Sequence, residues 1–434
     1  MNNMDQIAQR VKGKKLLILA GASVHQKVVL AAKKMGVYTI VTDYLTLDQA
    51  PAKKIAEEYW MNDILDVDGL VDRCLRENVD GVLNFCIDPA QIPYQRIAER
   101  LGLPCFGTKE QFRTLTDKWV FKDFCRNCGV DVIPEYGMND INSGNVVYPV
   151  LVKPTNSRGS RGQSICNTKE EVYTAIGVAK EASSDGGFLI ERYMVDAEDM
   201  ALAYMVIDRE PYLVKIGDRL LGRREDKLER QQISTILPSR HTKEFHSYSD
   251  VVIRKMIKQL GIKFGPVFFQ GFWENGKVYL YDPGLRFPGS DFNIAQYAAT
   301  GFDSVSTCVA FALTGATNVC VGDPRGVYDY NGGAGVVLSI AARSGRIAIF
   351  EGFDNVSRDP RVVSSSLLHS VGDEIRPTGD ICQRVAEFIA YIPNRADVPD
   401  FYRFVYNNFK VLDYNGENMS ISEVKPEALR IFNR

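Results

Sequence analysis

The sequence predicts a multidomain chain of α/β and α+β architecture, on three observations. Strand and helix patterns alternate through residues 1–112, mixed patterns take over past about residue 128, and short apolar runs broken by glycine dominate past about residue 325. At 434 residues with 45% hydrophobic content, the chain can bury several cores. A length of this order suggests roughly three domains. The expected division is an N-terminal α/β domain over 1–112, a central domain over 113–325 with a small lobe at about 128–195 and a large lobe at about 196–325, and a β-rich accessory domain over 326–434.

The elements follow in order. Lys15 leads into Leu16-Leu17-Ile18-Leu19-Ala20, a strand, and Gly21-Ala22-Ser23 turns the chain into a helix patterned by Val28, Val29, Ala32 and Met35, which Gly36 ends. Val37 to Thr42 reads as a second strand and Gly81 to Phe85 as a third, a Rossmann-like parallel sheet with crossover helices. Gly21-Ala22-Ser23 is not a dinucleotide fingerprint and no G-x-G-x-x-G follows, which excludes a nicotinamide cofactor. His25, Asp43 and Asp88 stand at or just past strand ends, where ligands of such sheets gather, and each is read as structural. Asp131-Val132-Ile133-Pro134 opens the small lobe. Ser247 to Leu260 has helical periodicity, and Gly265-Pro266 leads into a hairpin turned by Asn275-Gly276. Gly332-Gly333-Ala334-Gly335 then introduces Val336 to Ile340 and Ile347 to Phe350, on either side of Ser344-Gly345. No internal repeat or low-complexity tract interrupts the chain, which argues against a solenoid or scaffold.

The most informative stretch runs from Val150 to Ser164. Val150, Leu151 and Val152 suit a buried strand framed by Pro149 and Pro154, so the strand delivers Lys153 with its ammonium free. Gly159 and Gly162 permit close backbone approach to oxyanions, and Ser157, Ser160 and Arg161 add donors and charge. Such a loop grips phosphate or is a solvated hairpin turn; alone it does not decide between them. Thr116-Asp117-Lys118-Trp119 adds a lysine in a helical context. Phe188 to Met194 with Asp196-Ala197-Glu198, and Tyr279 to Ser290, complete four segments in fixed order.

Together these segments resemble the ATP-grasp superfamily, most closely its carboxylate-amine ligases and the related carboxylase and carbamoyl phosphate synthase modules. The resemblance implies a two-lobed ATP-grasp core, ATP as cosubstrate and Mg2+ (or Mn2+) as cofactor. Lys118 and Lys153 match the lysines that hold the nucleotide phosphates, and Ser157, Arg158, Gly159, Ser160, Arg161 and Gly162 match the flap that closes over them. Glu191, Tyr193 and Met194 match the hinge that meets adenine. Glu198 matches a polar residue near the ribose, and Arg286 the arginine that stabilises the acyl phosphate. Lys153 and Arg286 are the expected catalytic residues.

One departure stands out. The family sets an acidic residue before Glu-x-Asn-x-Arg, whereas this chain has Gln270 and then Asp282-Pro283-Gly284-Leu285-Arg286. One carboxylate has become an amide and one amide is gone. Asp282, with Gln270 and substrate phosphates, suits one hard cation. Three readings follow: a carboxylate-amine ligase, a carboxylase-type enzyme that phosphorylates bicarbonate, and a non-catalytic ATP-binding protein. Arg240 is a further cation for a donor carboxylate, while Arg223 and Arg224, among Glu225, Asp226 and Lys227, read as a solvated loop.

The 52 basic and 54 acidic residues nearly cancel and give no reason to expect nucleic acid or a membrane surface as partner. The expected partners are small-molecule carboxylate and amine substrates, with a homodimer admitted. No apolar run could span a bilayer, and Met1-Asn2-Asn3-Met4-Asp5 lacks the marks of a signal peptide, so a cytoplasmic location is expected. Nine scattered cysteines fit reduced thiols, the lone Cys125-x-x-Cys128 reads as a helix end, and the four histidines are too dispersed for a metal site.

Overall fold

The computed structural model of the chain describes residues 3–155, 162–195, 197–228, 231–425 and 429. It begins with a parallel sheet of β1 (Lys15–Leu19), β2 (Tyr38–Thr42), β3 (Glu58–Trp60) and β4 (Gly81–Leu83), in the order β3-β2-β1-β4. Leu16, Leu17, Ile18 and Leu19 are all fully buried, as the central strand of a sheet covered on both faces requires. The helix Gln26–Lys34 follows β1 as its pattern predicts, with Met35 at the cap. β3 was not expected, because three residues carry too little alternation to read. β4 stops at Leu83, short of the predicted Phe85, because the Asn84 side chain turns back on the chain: its amide donates to Ile87 O at 2.9 Å and its oxygen accepts from Ile87 N at 3.0 Å.

The small lobe is an antiparallel sheet of β5 (Val150–Pro154), β6 (Ser164–Cys166) and β7 (Phe188–Arg192), with β5 at its centre. The helix Lys169–Ala182 backs it, capped by Thr168, and Val150, Val152, Val172, Ala179 and Ile190 close its core.

The large lobe contributes β8 (Glu198–Ile207), β9 (Glu210–Leu221), β10 (Gln232–Leu237), β11 (Gly265–Glu274) and β12 (Lys277–Gly284) to one sheet. That sheet does not stop at residue 325. β13 (Ala334–Ala342) pairs β10 antiparallel with Ser234 opposite Leu338, which extends the order to β12-β11-β8-β9-β10-β13-β17-β15. The chain leaves this sheet at β14 (Gly345–Glu351), returns with β15 (Val362–Leu367), leaves again for β16 (Glu374–Ile375) and comes back with β17 (Arg384–Ile392). β14 pairs β16 and β18 (Lys410–Asp413), not β13, so Ser344-Gly345 joins two sheets. The edge of β13 that a hairpin partner would fill is taken at Ala341 and Ala342 by β19 (Ser420–Ile421).

The helix Ser304–Thr314 is apolar nearly all round and buried along most of its length, as expected for a helix enclosed by two domains. It packs on β4 so closely that a Cβ at Gly81 would stand 2.4 Å from Ala312 O. Lys14 Nζ donates to Leu313 O at 2.7 Å across the same contact. N-terminal domain and large lobe therefore share one continuous core. Among the described residues no helix is long and apolar enough to cross a membrane.

Candidate functional site

Two lysines reach the site from one helix. Asp117 caps the helix Lys118–Cys128 by accepting from Trp119 N and Val120 N, which places Lys118 at its first turn and Lys122 one turn on along the same face. Lys153 arrives from β5 and Glu191 from β7, where Leu151 faces Glu191 and Lys153 is its diagonal neighbour. Lys153 Nζ lies 2.5 Å from Glu191 Oε2, Lys122 pairs the other carboxylate oxygen, and Lys122 also reaches Glu135 at 2.9 Å. Glu191 is 1% exposed and Lys153 6%. Burial alone would raise the Glu191 carboxyl, but Lys153 and Lys122 outweigh it and hold the group below the usual carboxylate range. Burial, then the neighbouring Lys153, lowers the Lys118 ammonium, against the pull of Asp282 and Glu191. Lys122 was not anticipated, although its spacing of four from Lys118 is readable in the sequence.

Lys153 and Glu191 border a cavity of 790 Å³ whose wall also includes Tyr193, Met194, Glu198 and Gln270. The size suits a nucleotide. Because the Glu191 side chain is committed to two lysines, the expected adenine hinge there has to act through the backbone. Tyr193 N donates to Pro149 O at 3.0 Å and Arg192 N to Pro134 O at 2.9 Å, which fixes the path of the chain past the cavity. Glu198 lies on β8, where His241 Nε2 stands 2.6 Å away and Arg240 Nε donates at 2.8 Å. His241 stacks on Trp273 with ring centroids 4.7 Å apart. Arg240 is thus the partner of Glu198, and Arg223, which pairs Asp226 at 3.0 Å, also borders the cavity. Ser157, Arg158, Gly159, Ser160 and Arg161 of the expected flap lie outside the described residues. Gly162 lies inside them, at φ +73°, where a Cβ would stand 2.5 Å from Ala182 Cβ; only glycine fits both conditions.

At the far end, Asn275 and Gly276 both adopt positive φ, the type of turn the hairpin needs. The β11–β12 register runs regularly from Glu274 opposite Lys277 to Gly271 opposite Leu280, then shifts so that Gln270 faces Asp282. Tyr281 is the extra residue of this bulge, and it moves Asp282 onto the same face as Gln270. The donor set fits a divalent cation in part: one carboxylate and one amide oxygen on facing strands, with the remaining positions of a hexacoordinate ion left to phosphate and water. Among the described residues no three His, Cys, Asp or Glu side chains gather as a metal cluster. Burial, then Asp88, raises the Asp282 carboxyl, while Arg286, Lys118 and Arg219 oppose the rise. A Cβ at Gly284 would stand 3.1 Å from Arg286 Cγ, so an asparagine at this position would require the arginine side chain to give by a few tenths of an ångström.

Arg286 is 5% exposed, donates to Phe287 O at 2.8 Å, lies 5.1 Å from the Phe268 ring centroid and pairs with Asp88. Asp88, read from sequence as structural, therefore orients the expected catalytic arginine across the domain boundary. Phe287 N donates to Phe85 O and Leu285 N to Gln91 Oε1, each at 2.9 Å, which docks the loop after β4 onto this segment. His25 and Asp43 do behave structurally. His25 is fully buried 3.6 Å from Cys86 Sγ, and Asp43 accepts from Gly21 N and Leu45 N. Sequence reasoning also missed Arg219, which donates to Asp199 at 2.6 Å and to the Tyr281 hydroxyl at 3.1 Å on the cavity wall. It missed the return of Ser422 to Lys425 to the cavity as well. No local signal marks either.

Residues 117–257 match the family model described as the carbamoyl-phosphate synthase L chain, ATP binding domain. Among curated proteins, the formate-dependent phosphoribosylglycinamide formyltransferase of Wolinella succinogenes is 25% identical over 193 residues, which cover 41% of this chain and 46% of that protein. The chain spans about half the length of the curated relatives it matches. Among solved structures, an L-amino acid ligase from Bacillus licheniformis superposes with TM-score 0.75 at 16% identity, over 93% of this chain and 100% of the other. The biotin carboxylase domain dimer of Hydrogenobacter thermophilus 2-oxoglutarate carboxylase, solved with MgADP, ADP and bicarbonate, gives TM-score 0.72 at 19% identity, over 94% and 91%. The chain has the ATP-grasp fold that these proteins share.

Proposed function

We propose that this ATP-grasp protein is an ADP-forming ligase that activates a carboxylate as an acyl phosphate for attack by an amine. The observation that carries the reading is the bulge that sets Asp282 opposite Gln270, which shares a cavity wall with Lys153 of the other lobe, with the buried Arg286 just beyond on the chain. A line of fixed positive charge then faces the position of the transferring phosphoryl group.

In this scheme Lys118, Lys153 and the flap Ser157 to Gly162 hold the phosphates of ATP, Tyr193, Met194 and the Glu191 backbone receive adenine, and the Glu198 pair with Arg240 and His241 borders the ribose. A Mg2+ ion held by Asp282 and Gln270 would neutralise charge on the β- and γ-phosphates. The substrate carboxylate oxygen bonds to the γ-phosphorus as the bond to the β–γ bridging oxygen breaks, releasing ADP. The amine then bonds to the acyl carbon, phosphate leaves with the C–O electron pair, and the amine gives up a proton. Arg286, held by Asp88, meets the charge that develops on the transferring group. Positioning and charge neutralisation account for most of such catalysis.

The test is ADP release over amino acids, hydroxy acids and small amines, with Mg2+ and Mn2+ compared and a bicarbonate arm included. ADP release that needs both an acid and an amine supports the ligase. Release driven by bicarbonate alone would replace it with the carboxylase reading, and ATP binding without turnover on any arm would leave a nucleotide-binding protein. Lys153→Ala is expected to abolish most ATP affinity; unchanged affinity in calorimetry would overturn the phosphate assignment.

A further inference from the structure

Lys215 on β9 is 1% exposed, and among the described residues no carboxylate lies within ion-pair reach of it. Its ammonium has two neighbours: the Ser290 hydroxyl at 3.4 Å and the Phe292 ring at 4.8 Å from the centroid. A buried ammonium in this condition is costly, because no countercharge offsets its desolvation. Other cations surround it. Arg219, four residues on along the same face of the strand, borders the nucleotide cavity and pairs with Asp199. Lys27, from the N-terminal domain, spends its charge on Asp291 at 2.7 Å and also donates to Ser290 O, the residue whose hydroxyl meets Lys215.

Across the same sheet, β17 brings Arg384 and Glu387. Arg384 makes no ion pair within 4.0 Å among the described residues, and Glu387 accepts only from Ser339 Oγ at 3.2 Å. Burial lowers the Arg384 guanidinium, with Arg219 adding to the effect, and burial together with Asp291 raises the Glu387 carboxyl. Lys27 and Arg219 are thus paired with Asp291 and Asp199, whereas Lys215 has no carboxylate partner among the described residues.

We propose that Lys215 holds a carboxylate that does not react, so that one substrate carries an anionic end besides its reacting group. The inference rests on the ligase reading above and narrows its substrate class. That carboxylate belongs either to the acid partner, as in a dicarboxylate, or to the amine partner, as in an amino acid. Burial, with Arg219 and Lys27, lowers the Lys215 ammonium to about 7, and a bound anion restores its charge.

The test is anion binding by the full chain, by calorimetry and thermal shift, with and without ADP, using succinate, L-alanine and neutral propionamide. Succinate or L-alanine should bind, and which of them does identifies the source of the carboxylate; propionamide should not bind. Lys215→Met should weaken that binding by roughly tenfold or more, the scale of losing one buried countercharge, while ATP affinity stays unchanged. For the wild type, whose Lys215 is flanked by the charges of Arg219 and Lys27, anion affinity should fall as pH rises above about 7, and Lys215→Arg should remove that fall. Wild type that binds neither anion, Lys215→Met that binds as wild type does, or pH-independent binding in the wild type would each overturn the proposal. Because ATP binding and ADP release are read separately, loss of the ligase reading would leave this outcome legible.

Discussion

Lys153 and Lys215 are both lysines on buried strands, and the protein treats them in opposite ways. Lys153 is held at 2.5 Å by a glutamate that is itself 1% exposed and shared with Lys122. Lys215 has a hydroxyl and an aromatic ring. A buried charge is stabilised either by a fixed partner or by loss of its proton, and the two lysines take one route each. The difference separates two tasks: a paired lysine keeps its geometry whether or not a ligand is present, whereas an unpaired one leaves its countercharge to be supplied.

The comparison breaks first at Glu191. Glu191→Ala would strand Lys122 and Lys153 without their shared partner, and the expected loss is about 3–5 kcal/mol in denaturant unfolding, the scale of removing one member of a buried pair. Little change would mean that Lys153 is no better paired than Lys215. Arg286→Ala should reduce kcat by about two orders of magnitude, since a preorganised charge stabiliser is lost, with a small stability change because its partner Asp88 is half exposed. A variant that lost ATP affinity and kept kcat would move Arg286 from the chemistry to ground-state binding.

His25 extends the unpaired class. Burial first, and then Lys27, lower its imidazole to about 4, while the unfolded chain titrates near about 6.5. Between those values the unfolded state binds the proton and the folded state does not, so stability falls as pH drops through that window and is flat above it. The steepest slope should be roughly 1.4 kcal/mol per pH unit, absent in His25→Leu, as thermal unfolding across pH would record. The last case is Lys215 itself. Lys215→Met should raise the stability of the ligand-free protein at pH 6, where the wild type carries an unpaired buried charge. The gap should narrow as pH rises from about 7 toward the unfolded value of about 10.4. A destabilised Lys215→Met at pH 6 would show that the ammonium is better satisfied than its contacts indicate.

The departure from the family pattern has become a steric statement as well as a chemical one. Gln270→Glu alone is the cleaner change, because a side chain at Gly284 would press on Arg286. It should tighten Mg2+-dependent nucleotide binding, measured by calorimetry with and without the ion.

The sequence by itself determined most of the elements and the order of the proposed site residues. Short continuous apolar runs such as Leu16 to Leu19 suit buried strands, Asn275-Gly276 suits a tight hairpin turn, and Lys118, Lys153, Asp282 and Arg286 stand in an order that is visible without coordinates. Tertiary structure decided what those residues meet. The Tyr281 bulge rephased β12 and brought Asp282 to Gln270, and the docking of the loop after β4 gave Arg286 its partner Asp88. The sheet ran on across residue 325 to add β13, β17 and β15 beyond β10, and Lys215 was left without a carboxylate among the described residues. Local pattern encodes which side chains a strand or turn can tolerate. Register, and the pairing of charges distant in sequence, depend on the whole packed arrangement, so no window of neighbouring residues contains them.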